Sequence, residues 1–166
     1  MWLCRQNSLI KKRKGFTLVE LLVAMGIFSI LITGLYAVLL CGEHSFRYGS
    51  TAVSLQENAR SIYFWLTRDL RRARTPVNAT LDNNGESFSI ITPSGSISYS
   101  LESKGNTLVL RRTCSGQTLY VGKDISSINI STSGDLAQVT VNVNKRVSYG
   151  DIQTFSVTGR VELRNL

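Results

Sequence analysis

The chain has 166 residues, and its 19 basic side chains against 11 acidic ones leave a net charge of +8. One histidine and three cysteines exclude a histidine-based metal cluster and leave any Ser-His-Asp or Cys-His catalysis dependent on His44 alone. No CxxC, Walker loop, GxSxG or GxGxxG stands in the sequence, so no enzyme class is indicated and no cofactor is expected.

The first element in chain order is a basic run, Lys11-Lys12-Arg13-Lys14, which leads through Gly15 into an apolar segment ending near Leu40. From Leu18 to Leu40 the one charged residue is Glu20, and the other polar side chains are Ser29 and Thr33. As a helix this stretch is about 34 Å long, enough to cross a bilayer core. Backbone groups in hydrocarbon must be satisfied within the segment, which requires an α-helix that tolerates Gly26 and Gly34. These two glycines lie eight residues apart and make no GxxxG pair. Five cations precede the span (Arg5 and the run itself) and only Arg47 follows it closely, so the positive-inside bias places the N-terminus in the cytoplasm and exports the C-terminal body. A secretory signal peptide has a shorter apolar region, about 7 to 15 residues, ending at a small-residue cleavage site, and neither feature is found here. Glu20 admits two readings. Its carboxylate snorkels toward the headgroups, or it has a charged partner that offsets the cost of an acid inside a span.

The stretch Lys-Gly-Phe-Thr-Leu-Val-Glu-Leu-Leu-Val-Ala-Met, residues 14–25, resembles the N-terminal cleavage and methylation segment of type IV prepilins and of the pseudopilins of type II secretion. The resemblance covers residues 11–40. It implies that a membrane prepilin peptidase cuts between Gly15 and Phe16 and that the new amino group of Phe16 is methylated. Lys11, Lys12, Arg13 and Lys14 then form the leader charge. It further implies that Glu20 pairs with the amino terminus of a neighbouring pilin or pseudopilin subunit, while an inner-membrane platform with a cytoplasmic ATPase extrudes the chain from the lipid bilayer. Pairing two opposite charges in an apolar bundle makes each far less costly and fixes register, which favours pairing over snorkelling. Many major pilins carry a helix-kinking proline where this chain has Ala37, and the span contains no proline. That departure points to a minor pilin or pseudopilin. Loss of the leader, residues 1–15, removes five cations and lowers the net charge from +8 to +3.

The transmembrane helix is expected over 16–41 and an amphipathic continuation over 42–75. In the continuation Ala52, Leu55, Ala59, Ile62, Leu66, Leu70 and Ala73 recur at intervals of three and four. Gly49, Ser50 and Thr51 mark an expected break, and Thr75-Pro76 an expected end. Over 76–166 the period changes to two. Strands are expected at 88–92, 96–101, 108–112, 118–121, 125–130, 137–143 and 154–163, joined by Ser-Gly, Lys-Gly-Asn and Gly-Asp turns. Alternation of Ala and Val with Gln, Thr and Asn across 137–143 predicts one face on the helix and one in water. Phe155, Val157, Val161 and Leu163 are assigned to the last strand. The fold class is therefore α+β: a long N-terminal helix, half transmembrane and half amphipathic, packed on a C-terminal antiparallel sheet, as the pilin resemblance also implies. The Arg68–Ala73 run and the Val161–Asn165 ending are similar to those of minor pilins and of the larger minor pseudopilin.

Arg60, Arg68, Arg71, Arg72 and Arg74 give the amphipathic helix a basic end. A solvated face near a helix C-terminus accounts for it, with Asp69 read as an interruption of the run. A DNA-binding site at Arg71, Arg72 and Arg74, as in competence pilins, is the alternative. Cys4 leaves with the leader; Cys41 and Cys114 could pair in an oxidising compartment, but one is anchored at the bilayer and free or buried thiols are expected. The expected function is a structural subunit of a type IV pilus or pseudopilus near the initiating tip, resident in the inner membrane and then in the filament. A DNA-uptake pilin and a membrane-tethered exported binding domain are the competitors.

Overall fold

The computed structural model describes residues 15–82, 87–147 and 150–164. The leader cations Lys11, Lys12, Arg13 and Lys14 lie outside the described residues. By its contacts the chain divides into two units, one ending at His44 and the other beginning at Ser45.

In the first unit, helix α1 (Leu18–Leu70) begins, and every described residue is exposed in the isolated chain. Its two polar mid-span side chains are satisfied without outside partners. Ser29 Oγ donates to the Gly26 carbonyl and Thr33 Oγ1 to the Ser29 carbonyl, each at 2.8 Å. Such back-bonding lets hydroxyls lie in an apolar helix without orphaned donors.

In the second unit α1 meets two four-stranded antiparallel sheets rather than one. Sheet A has the order β1-β6-β7-β8 and sheet B the order β2-β3-β4-β5. The strands are β1 (Ala79–Leu81), β2 (Ser87–Thr92), β3 (Gly95–Lys104), β4 (Thr107–Cys114), β5 (Gln117–Lys123), β6 (Ile125–Ser133), β7 (Leu136–Arg146) and β8 (Ile152–Glu162). The chain passes from sheet B to sheet A at Asp124, whose φ of 60° turns the backbone sharply in the left-handed region. Strand β1 was not expected from sequence. Three residues are too few to show alternation, and β1 is defined by its pairing with β6 from Ala79↔Ile130 to Leu81↔Ile128. Between β4 and β5, Ser115 and Gly116 both have positive φ (50° and 78°), the geometry of a two-residue hairpin turn matched to the strand twist.

The amphipathic pattern of the helix is realised at Leu55, Ala59, Ile62, Leu66, Leu70 and Ala73, all buried, whereas Ala52 is exposed. On β7, Ala137, Val139, Val141 and Val143 point into the core, as their alternation predicts. On β8, Val161 is buried while Phe155 and Val157 are half-buried; Leu163 is buried but lies past the strand's end.

Two boundaries differ from expectation. Gly49, Ser50 and Thr51 are helical. Their weak propensity costs at most about 1 kcal/mol each and, unlike proline, removes no backbone donor, and Thr51 Oγ1 bonds back to the Arg47 carbonyl at 2.9 Å. The helix also stops at Leu70, ahead of Thr75-Pro76. Arg72 N and Ala73 N bond the carbonyls three residues back, at 3.1 and 2.9 Å, and Arg74 N donates to the Ile91 carbonyl on β2 at 2.9 Å. This tightened turn draws the chain onto sheet B before proline can act.

Candidate functional site

The N-terminal segment is built around a helix start. Gly15, Phe16 and Thr17 precede α1 in non-helical conformation. The Thr17 side-chain oxygen accepts a hydrogen bond from Glu20 N at 3.3 Å, and the Thr17 carbonyl accepts the first helical bond from Leu21 N at 3.2 Å. A threonine three residues ahead of a glutamate is the capping-box spacing. Local structure thus fixes the start of α1 immediately after the Gly15–Phe16 bond, and puts Glu20 in the first turn, where the helix dipole favours a negative charge. Phe16 is 73% exposed in the isolated chain.

The C-terminal end of α1 carries a second cluster. Asp69, with a side chain only 1% exposed, accepts hydrogen bonds from Tyr99 Oη on β3 and from Arg112 Nε on β4, both at 2.6 Å. Arg68 Nε approaches its other oxygen at 3.4 Å. The Arg68 and Arg112 guanidiniums lie 3.8 and 5.3 Å from the Trp65 ring centroid, and Phe88 stacks on Tyr99 at 5.3 Å. A carboxylate at a helix C-terminus opposes the helix dipole, so burying one there requires these donors. Burial, then the hydrogen bond and charge of Asp69, push the Tyr99 phenol well above its ordinary range. For Arg112 burial works against the cation, but the bond and charge of Asp69 outweigh it and hold the guanidinium above its usual value. The cluster ties the helix end to sheet B.

In the sequence Asp69 reads as an interruption of a basic run, whereas the structure buries it. A signal for its burial was present: Asp69 falls three residues after Leu66 and seven after Ile62, on the apolar register of the helix, where an acid needs a partner.

Beside this cluster lies an open groove of about 590 Å³, lined by Tyr63, Phe64, Thr67, Arg68, Arg71, Arg72 and Arg164. Of the three arginines considered for DNA binding, Arg71 and Arg72 meet at the groove. Arg74 does not line it; its backbone is engaged with β2. Arg164, distant in sequence, joins them. Cys41 and Cys114 are free thiols.

Two glycines seat the helix. A Cβ at Gly122 on β5 would meet Ile62 Cγ1 at 2.5 Å and Cδ1 at 2.6 Å, and a Cβ at Gly159 on β8 would collide with the Tyr63 hydroxyl and ring. Ser61 Oγ donates to the Val121 carbonyl at 3.3 Å. Consecutive helix residues thus rest on the edge strand of each sheet. Glycine inside a strand often marks such a close approach, but the sequence alone does not say what approaches.

Residues 10–36 match the family model described as the prokaryotic N-terminal methylation motif. No curated protein and no solved structure gives a significant match to the chain. The chain therefore carries the prepilin-type cleavage and methylation signal. That signal implies processing by a prepilin peptidase and assembly with other pilin subunits, and with the apolar helix it fits a single-pass, membrane-anchored, pilin-like exported protein.

Proposed function

We propose that this protein is a minor subunit of a type IV pilus or a type II secretion pseudopilus, a structural component and not an enzyme, placed near the initiating tip. The observation that carries the reading is the coincidence, within the matched segment, of Gly15-Phe16, a capped helix start and a lone acid at Glu20 ahead of a spanning length of apolar helix. Cleavage after Gly15 leaves Phe16 as the new amino terminus, five residues of chain then running from that terminus to Glu20. The N-terminus lies on the cytoplasmic side and the unit beginning at Ser45 is exported. Assembly brings the Phe16 ammonium of one subunit to the Glu20 carboxylate of its neighbour. An isolated carboxylate in hydrocarbon costs about 2.5 to 3.5 kcal/mol at the centre of a span, so pairing supplies both a driving force and a register. An ATP-driven cytoplasmic motor and platform extrude the joined subunits. The absence of proline from the span favours the minor role.

Mass spectrometry of membrane fractions tests the processing step, with N-methylphenylalanine derived from Phe16 as the expected terminus. An intact Met1 terminus would instead favour a membrane-tethered exported domain. Glu20→Ala tests assembly: the variant is expected to insert in the membrane but to fail to enter filaments, and normal entry refutes the pairing role.

A further inference from the structure

Pairing through the N-terminal segment gives no role to the groove at the C-terminal end of α1. We infer that this groove docks an acidic polypeptide segment carrying an apolar side chain, with the apolar group on Phe64 and the carboxylates held by Arg71, Arg72 and Arg164. The inference rests on the assembly reading for the source of the segment, a neighbouring subunit, but not for the chemistry of the groove.

Three observations carry it. Phe64 is 60% exposed on the face of α1 opposite the sheets, where Leu55, Ala59, Ile62 and Leu66 bury the other side completely. With Tyr63 and Thr67 beside it, an apolar floor lies open to solvent. Four arginines and, among the described residues, no acid line that floor; Asp69, next to Arg68 in sequence, is buried and turned toward Tyr99 and Arg112. Arg71, Arg72 and Arg164 are like charges around one groove and repel one another until an anion enters, and planar guanidiniums match carboxylates in two-point contacts. A volume of about 590 Å³ accommodates side chains of a segment rather than a folded domain.

Nucleic acid fits less well. The Trp65 ring that would stack on bases is already covered by Arg68 at 3.8 Å, with Arg112 also over it at 5.3 Å. Arg68 is partly committed to Asp69, which leaves fewer free cations than the roughly six or more phosphate contacts of a strong duplex binder. A small inorganic anion would leave Phe64 uncovered.

The test uses the full chain in detergent micelles and a fluorescent glutamate-rich peptide with one central leucine. Controls are the same peptide with glycine for leucine, its lysine counterpart, and duplex and single-stranded DNA oligonucleotides. The leucine peptide is expected to bind, with affinity falling as salt rises. Removing the leucine, or introducing Phe64→Ser, is expected to weaken it about tenfold, and Arg71→Glu with Arg72→Glu to abolish it. Arg71→Gln, a milder change at an exposed site, is expected to weaken it by a smaller factor without altering thermal unfolding. Failure of the leucine peptide to bind, binding indifferent to Phe64→Ser, or tighter binding of either DNA overturns the proposal. So does self-association of the chain through Phe64 that the peptide does not displace. Glu20→Ala is expected to bind the peptide as the parent chain does. Normal filament entry of that variant would therefore remove the assembly reading and leave the groove standing.

Discussion

The segment up to His44 and the unit from Ser45 onward share a helix but use it in opposite ways. In the first, apolar residues surround the axis, none of the described residues is buried, and the mid-span hydroxyls of Ser29 and Thr33 are satisfied by the segment's own backbone. In the second, apolar residues recur every third or fourth position and face two sheets. A helix apolar all round is completed by lipid or by other helices, whereas an amphipathic one is completed by its own chain. Substitutions in the first region should therefore change assembly without changing folding, and substitutions in the second should do the reverse.

The largest expected effect lies in the first region. Removing one partner of a buried ion pair costs about 3 to 5 kcal/mol, which corresponds to well over a hundredfold in an equilibrium. Glu20→Ala should thus nearly eliminate filament incorporation, measured against total membrane protein, with no change in thermal unfolding of the second unit. A shift in that unfolding would break the contrast.

In the second region the counterpart is Asp69→Ala. It strands Arg112 and the Tyr99 hydroxyl and should destabilise by a similar 3 to 5 kcal/mol in denaturant unfolding, while membrane insertion and leader removal proceed normally. Asp69→Asn, which keeps an acceptor for Tyr99, should cost less. Gly122→Ala comes next, at about 1 to 3 kcal/mol in denaturant unfolding, because the added methyl overlaps buried Ile62.

The smallest expected effect is a pH dependence. The Tyr99 phenol is raised in the folded state, so its contribution is fully present below the unfolded value near 10 and is lost as pH rises above it. Tyr99→Phe should lower stability at neutral pH, yet reduce the alkaline slope by up to about 1.4 kcal/mol per pH unit. An unchanged slope in chemical denaturation at pH 10 to 11 would show that Tyr99 is not held neutral.

How legible each part was in sequence follows the same division. The N-terminal segment is local: a cap, a charge run and a hydropathy profile state its properties within some thirty residues, as expected for a signal recognised by other proteins. The helix face and the alternation on β7 are also local patterns. The split into two sheets was not, because it depends on Asp124 adopting a left-handed turn, and an aspartate between two strands does not declare its φ. Pairing of β1 with β6, the Asp69 cluster and the joining of Arg164 to Arg71 and Arg72 all depend on residues brought together over long separations. Asp69 alone left a trace, as an acid on an apolar register. Gly122 and Gly159 look like weak strand residues until Ile62 and Tyr63 are placed on them.

Those two seats have a mechanical consequence. At each, the Cβ-less backbone leaves room for the side chain already seated there and for nothing more. A larger residue at Gly122 would therefore push the helix off sheet B, and one at Gly159 off sheet A, so each sheet's hold on α1 can be broken without touching the other.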